Sequence, residues 1–192
     1  MEKEPHLVLD SPLNEIVDFI YVLPIGNICK GVLSFIQKKI EMRFNHSSKI
    51  LKKIDIPEQT FDSKRSQYSS TQILKNILEL TPENAIKIIG LTSADLYIPV
   101  LTFVFGQAQL NGKASLVSVH RLRQEYYGLP PNDSILLERL GKEAVHELGH
   151  TFGMVHCWDK RCVMHFSNSI REIDVKEDKF CESCSRILSS KL

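Results

Sequence analysis

Hydrophobic positions along the chain fall into short apolar runs and longer stripes of helical period. Phe19-Ile20-Tyr21-Val22-Leu23-Pro24 is unbroken and reads as a buried strand. Ile28, Val32, Ile36, Ile40 and Phe44 then recur at every fourth position, which predicts an amphipathic helix ending near Phe44. Residues 49–56 read as a second strand, 57–70 as a polar connection, and 71–80 as a helix with Ser70 as its cap. Residues 85–91 predict another strand. Residues 101–108 and 114–120 predict two more, joined around the turn signal Asn111-Gly112. After Pro130-Pro131, any of Asn132, Asp133 or Ser134 can cap a helix reaching about Phe152. Its apolar stripe is Leu137, Leu140, Ala144, Leu148 and Phe152, and Arg139, Glu143, His146 and His150 share the adjacent face. This order predicts an α/β (α+β) fold, a mixed twisted sheet packed with helices. Residues 1–15 are polar and read as a loose arm or an extra edge element. Residues 153–192 show little regular pattern, so something other than a core has to hold them.

Composition narrows the function classes. The chain has 192 residues, 43% of them hydrophobic and 24% charged, which is ordinary for a globular protein. A net charge of +1 gives no field to attract nucleic acid or a membrane surface. The apolar stretch 16–28 is interrupted by Asp18, Pro24, Gly26 and Asn27, and no segment approaches the roughly 20 apolar residues of a membrane span. The first residues carry acids and a proline rather than a secretory leader, so the expectation is a cytosolic monomer.

The chemistry concentrates in His146-Glu147-Leu148-Gly149-His150, continued by Gly153 and His156. Residues four apart lie on one helical face about one turn apart, so His146 and His150 can share a metal. Glu147 projects about 100° away and can reach a metal-bound water instead of the metal. Gly153 accepts the left-handed conformation that ends a helix, which lets the chain turn back and bring His156 to the same ion. Three imidazoles leave a zinc open to water, and Glu147 is placed to act as the base.

A second cluster follows without a gap. Four of the five cysteines, Cys157, Cys162, Cys181 and Cys184, lie in the last 36 residues. Two close pairs fit a four-thiolate structural zinc, which can stabilise roughly 40 residues lacking a core of their own. Disulfides or free buried thiols are the alternative, and a reducing compartment disfavours the former. Cys29 reads as a plain thiol on the first helix.

These residues resemble the archaemetzincin (archaelysin) family of metzincin zinc peptidases. The likeness rests on the zinc signature, the Cys157/Cys162 pair, Cys181-x-x-Cys184, Val163-Met164-His165-Phe166-Ser167-Asn168-Ser169 and Asp174-Val175-Lys176. It covers about the last 60 residues. It implies a zincin-like fold with a long zinc-binding helix and an irregular, zinc-stapled C-terminal part. Met164 would form the methionine turn, a hydrophobic floor beneath the metal. The segment after it (Phe166, Ser167, Asn168 and Ile170) would line the substrate pocket. The expected organisation is one catalytic domain, with residues 1–152 carrying the sheet and zinc helix and 153–192 the methionine turn and cysteine site. The expected function is peptide-bond hydrolysis on peptide or protein substrates, with two Zn2+ per chain, one catalytic and one structural. The rival reading is a non-catalytic two-zinc protein with a peptide-binding cleft, for which His165 or Asp159 could supply a further ligand. A zinc-ribbon nucleic-acid module fits the cysteines but leaves Glu147 and the histidines without a role.

Overall fold

The structure is a computed structural model and describes residues 18–192. The N-terminal arm expected over residues 1–15 lies outside this range. The strands β1 (Phe19–Ile25), β2 (Ser48–Ile50), β5 (Ala85–Thr92), β8 (Gly106–Ala108) and β9 (Ala114–Ser118) form a five-stranded sheet in the order β2-β1-β5-β9-β8. All its pairings are parallel except β8 against β9. Helices cover both faces, which is why β1 reads as a continuous apolar run. Successive β1 side chains divide between two cores. Ile20 and Val22 face α1 (Lys30–Phe44) and α3 (Asp133–Thr151), whereas Tyr21, Leu23 and Ile25 face α2 (Ser70–Glu79).

The two long helices match the stripes in the sequence. Ile36, Ile40 and Phe44 of α1 are fully buried. On α3, Leu140, Ala144 and Leu148 are buried, while Leu136 takes the deep place expected of the half-buried Leu137. Asn132 caps α3, its side-chain oxygen accepting from Ile135 N at 3.1 Å.

Other segments differ from expectation. Only residues 49–50 of the predicted strand over 49–56 join the ladder, as part of β2, apart from a single bridge between Ile54 and Ile25. The polar stretch 57–70 contains β3 (Phe61–Asp62) and β4 (Gln67–Ser69), and α2 begins at Ser70 with Ser69, not Ser70, as its cap. With β6 (Leu96–Ile98) and β7 (Leu101–Val104), these strands build a second sheet in the order β3-β4-β6-β7. The run 101–108 is therefore divided at Phe105, β7 pairing with β6 and β8 with β9. The β8–β9 turn does contain Asn111-Gly112, and Asn111 N donates to His150 O at 2.9 Å, tying the hairpin to the end of α3.

Residues after 152 are more regular than their pattern suggests, with α4 (Ile170–Val175) and α5 (Glu182–Ser189). Val163, Met164, Ile173, Cys184 and Leu188 join the same buried cluster as α1 and α3, so the core continues across residue 152. No helix among the described residues is long and apolar enough to cross a membrane.

Candidate active site

The last turns of α3 carry His146 and His150 on a buried helix backed by Leu140, Ala144 and Leu148. The chain then reverses. Gly153 takes φ +80°, and its N–H donates to His150 O at 2.9 Å. This reversal returns His156 to the helix. The ring centroids of His146 and His156 lie 5.4 Å apart, and those of His150 and His156 4.9 Å. One ring nitrogen from each of the three lies within 4.8 Å of the others.

Backbone carbonyls fix how the first two rings face. His146 Nδ1 lies 2.8 Å from Val163 O, and His150 Nδ1 lies 2.7 Å from Met154 O. A carbonyl can only accept, so each Nδ1 carries the proton and each Nε2 of the neutral ring presents a lone pair. The two Nε2 atoms stand 3.1 Å apart. Two lone pairs converging this closely suit a shared cation, and nitrogens bound tetrahedrally to one zinc at about 2.0–2.1 Å would be about 3.3 Å apart. Burial pushes the His146 pKa well below 6.5, with the Lys176 charge adding to it. Burial also lowers His150 and His156. All three shifts favour the neutral, ligating form.

Glu147 stands outside this group of nitrogens but in the same cleft. Its side chain is buried against β8, where a Cβ at Gly106 would lie 2.8 Å from Glu147 Oε1. Burial drives its carboxyl well above the usual range, Glu143 adds to the shift, and Lys176 opposes it. The cleft encloses about 660 Å³. Phe103 and Val104 of β7, Phe105, and Gly106 and Ala108 of β8 line one wall, with Phe166, Ser167 and Asn168 along another. Ile170, expected with them, packs against the buried core instead. Met164 is fully buried, and its O accepts from Cys157 N at 2.9 Å.

The four cysteine sulfurs also lie within 4.8 Å of one another. Cys157 and Cys181 Sγ are 3.8 Å apart, the separation expected for thiolates about 2.3 Å from one tetrahedral ion. Cys181 sits at the start of α5, where the Cys184 N–H lowers its pKa. Burial raises Cys162 to about 11 and pushes Cys184 up as well, so a cation is needed to hold the buried pair as thiolates. Neither further candidate ligand joins a cluster: His165 Nδ1 faces Cys157 O at 2.9 Å, and Asp159 accepts from Arg161 N at 2.9 Å. Cys29 is exposed at the start of α1.

Sequence reasoning did not single out the buried contact between Glu143 and Lys176, whose charged atoms lie 2.7 Å apart beside Glu147. Glu143 was visible on the histidine face of the helix, but a partner from beyond α4 has no local signal.

The architecture matches solved structures. A crystal structure of archaemetzincin from Methanopyrus kandleri superimposes with a TM-score of 0.79 at 33% identity, covering 94% of this chain and 98% of that one. One described as a zinc-dependent peptidase from Methanocorpusculum labreanum gives 0.81 at 28% identity, covering 88% and 99%. Fold and site together define a zinc metallopeptidase. The family model of peptidase family M54 matches residues 15–190. The archaemetzincin of Methanocaldococcus jannaschii is 44% identical over 172 residues, 90% of this chain and 93% of the relative. That of Pyrococcus furiosus is 41% identical over 181 residues, 91% and 94%. The chain belongs to peptidase family M54.

Proposed function

We propose that the chain hydrolyses peptide bonds using one zinc at His146, His150 and His156, and that a second, structural zinc sits at Cys157, Cys162, Cys181 and Cys184. The observation carrying this reading is the pair of Nε2 atoms 3.1 Å apart, each oriented by a carbonyl at its other nitrogen, with Glu147 in the same cleft but outside the ligand group. No fourth His, Cys, Asp or Glu joins the three imidazoles among the described residues, and the cleft opens onto them. Both points favour turnover over a closed structural site.

When bound, the catalytic zinc supplies a Lewis acid that polarises the scissile carbonyl and acidifies water at its open position. Glu147 takes a proton from the attacking water and delivers it to the leaving amine. Burial raises its basicity, which suits a group that holds a proton between the two steps. Gly106 leaves room for its carboxylate against the strand. β8 is an edge strand lining the cleft, so an extended substrate can pair with its backbone there. Phe166, Ser167 and Asn168 contact the substrate side chain beyond the scissile bond. Met164 supports the histidines from below. Residues 1–152 and 153–192 act as two parts of one catalytic domain, the second fastened by the cysteine zinc.

Metal analysis of the purified chain, paired with cleavage of a mixed peptide library by wild type and Glu147→Ala, tests the reading. Two zinc ions per chain and cleavage confined to wild type are expected. Equal turnover by Glu147→Ala, or a zinc-loaded wild type that cleaves nothing, would overturn it.

A further inference from the structure

One turn before Glu147, Glu143 reaches the wall of the same cleft with only 3% of its surface exposed. Lys176 is almost wholly buried behind it, with Nζ 2.7 Å from Glu143 Oε1. That contact has the length of an ion pair. Beyond it, neither atom has a hydrogen-bonding partner among the described residues. The buried Ser167 Oγ, on another wall of the cleft, has none either. Phe103, Phe105 and Phe166 add apolar surface to the same cleft. Such an arrangement is unusual, because buried polar atoms in folded proteins are nearly always satisfied.

We propose that Glu143 and Ser167 are specificity-determining residues that select a substrate side chain with an apolar stem and a neutral hydrogen-bonding head, an amide above all, next to the cleaved bond. The inference rests on the peptidase reading above. A carboxamide can donate to Glu143 Oε1, beside its contact with Lys176, and accept from the Ser167 hydroxyl, which has no other partner among the described residues. An aliphatic side chain fits the walls but leaves the Ser167 hydroxyl unpaired and Glu143 with Lys176 alone, and sites built for hydrogen bonding reject such analogues strongly. A charged head fares no better. The Glu143–Lys176 pair is neutral as a unit, so a cation brings a second positive charge towards Lys176 and an anion a second negative charge towards Glu143. Lys176 is a positioning residue: it holds Glu143 in place without reaching the substrate.

The test uses zinc-loaded protein and short peptide hydroxamates that differ only in the side chain beside the hydroxamate: glutamine, leucine, lysine or glutamate. The hydroxamate anchors each compound at the histidine site, and competition binding reads the pocket without turnover. Glutamine should bind at least about tenfold more tightly than the other three. The triple variant Glu143→Leu/Lys176→Met/Ser167→Ala removes the whole pair, so no lone charge stays buried. In it the glutamine-to-leucine ratio should fall by about tenfold or more. Ser167→Ala alone, which disturbs packing little, should lower the same ratio by about threefold. A wild type preferring leucine, lysine or glutamate overturns the proposal. So does a ratio unchanged in Ser167→Ala, or in a triple variant that still holds zinc and melts cooperatively. Selective binding without peptide cleavage would defeat the peptidase reading and leave the pocket standing. Cleavage with a leucine preference would do the reverse.

Discussion

Met164 Sδ occupies the space that a side chain at position 149 would need: a Cβ built on Gly149 would lie 2.5 Å from it. The methionine is fully buried against the helical turn that carries His150. Glycine inside a helix costs about 1 kcal/mol relative to alanine, so helix propensity alone would make Gly149→Ala stabilising. Overpacking against Met164 opposes that gain and should win, leaving the variant about 1–3 kcal/mol less stable by denaturant unfolding. Adding Met164→Val should recover part of the loss, because the two sites share one volume. A single variant at least as stable as wild type would show that the sulfur is free to move.

Glu147→Gln keeps the shape of the side chain and removes its charge. Turnover should fall by about 10²–10⁴-fold while zinc content is retained. In the metal-free protein the same change alters the pH dependence of stability. Burial raises the folded pKa of Glu147 above 4.5, so the folded state binds that proton more tightly than the unfolded state. The stability this contributes is complete below 4.5 and is lost as pH rises through the folded pKa. Melting curves of metal-free wild type and Glu147→Gln should therefore diverge with rising pH, in favour of the variant. The histidines act in the opposite window. Their folded pKa values lie below 6.5, so their contribution is complete above 6.5 and is lost as pH falls from there through the folded pKa values. Melting temperatures that showed neither trend would contradict the burial of these groups.

Arg139 is buried on α3 and makes a two-pronged contact with Asp174, Nε to Oδ1 and Nη2 to Oδ2, both at 2.7 Å. Its remaining nitrogen donates to Leu122 O at 3.0 Å. Asp174 holds this guanidinium in its charged form and fastens α4 to the zinc helix. The carboxylate is 45% exposed, so water can replace part of what is lost. Asp174→Asn should cost about 1–3 kcal/mol by urea unfolding, since the buried guanidinium loses its charged partner. An unchanged midpoint would mean that the burial of Ile173 and the hydrogen bonds from Lys142 to the Ile173 and Asp174 carbonyls hold α4 without the ion pair.

How much was legible in the chain depends on the kind of constraint. Metal ligation would demand particular residue types at particular intervals, so His146, His150, His156 and the four cysteines could be singled out from spacing, and the structure gathers each set within 4.8 Å. The helices α1 and α3 announce themselves through periodic burial. β4 does not, because its inward residues Gln67 and Ser69 are polar, and Gln67 is held by hydrogen bonds to Asp95 and the Thr102 carbonyl, each at 3.0 Å. α4 is short and starts with a capping box between Ser169 and Glu172, while α5 buries only Cys184 and Leu188. Neither helix is long enough to show a period. The break at Phe105 escaped for a different reason: an apolar run records burial but not which sheet each half joins. Glu143 and Lys176 meet only through the tertiary fold, so nothing local marks them as partners.

The link between the two metal clusters gives the last expectation. His146 and His150 are each oriented by a carbonyl, whereas His156 is exposed and meets Phe166 edge-on at 5.0 Å. Its position therefore depends on the backbone it shares with Cys157, which is pinned to Met164 O at 2.9 Å and lies 3.8 Å from the Cys181 sulfur. Cys181→Ser removes one ligand of the proposed structural site without touching any histidine. Zinc affinity at the histidine site should fall by about 10–100-fold, the range seen when groups that orient metal ligands are lost. Competition against a chelator, following the histidine-bound ion, measures this directly. Cys29→Ser serves as the control, because that thiol is exposed and remote in sequence from both clusters, and it should change nothing. An unaltered affinity in Cys181→Ser would mean that the reversal at Gly153, not the cysteine cluster, sets the place of the third imidazole.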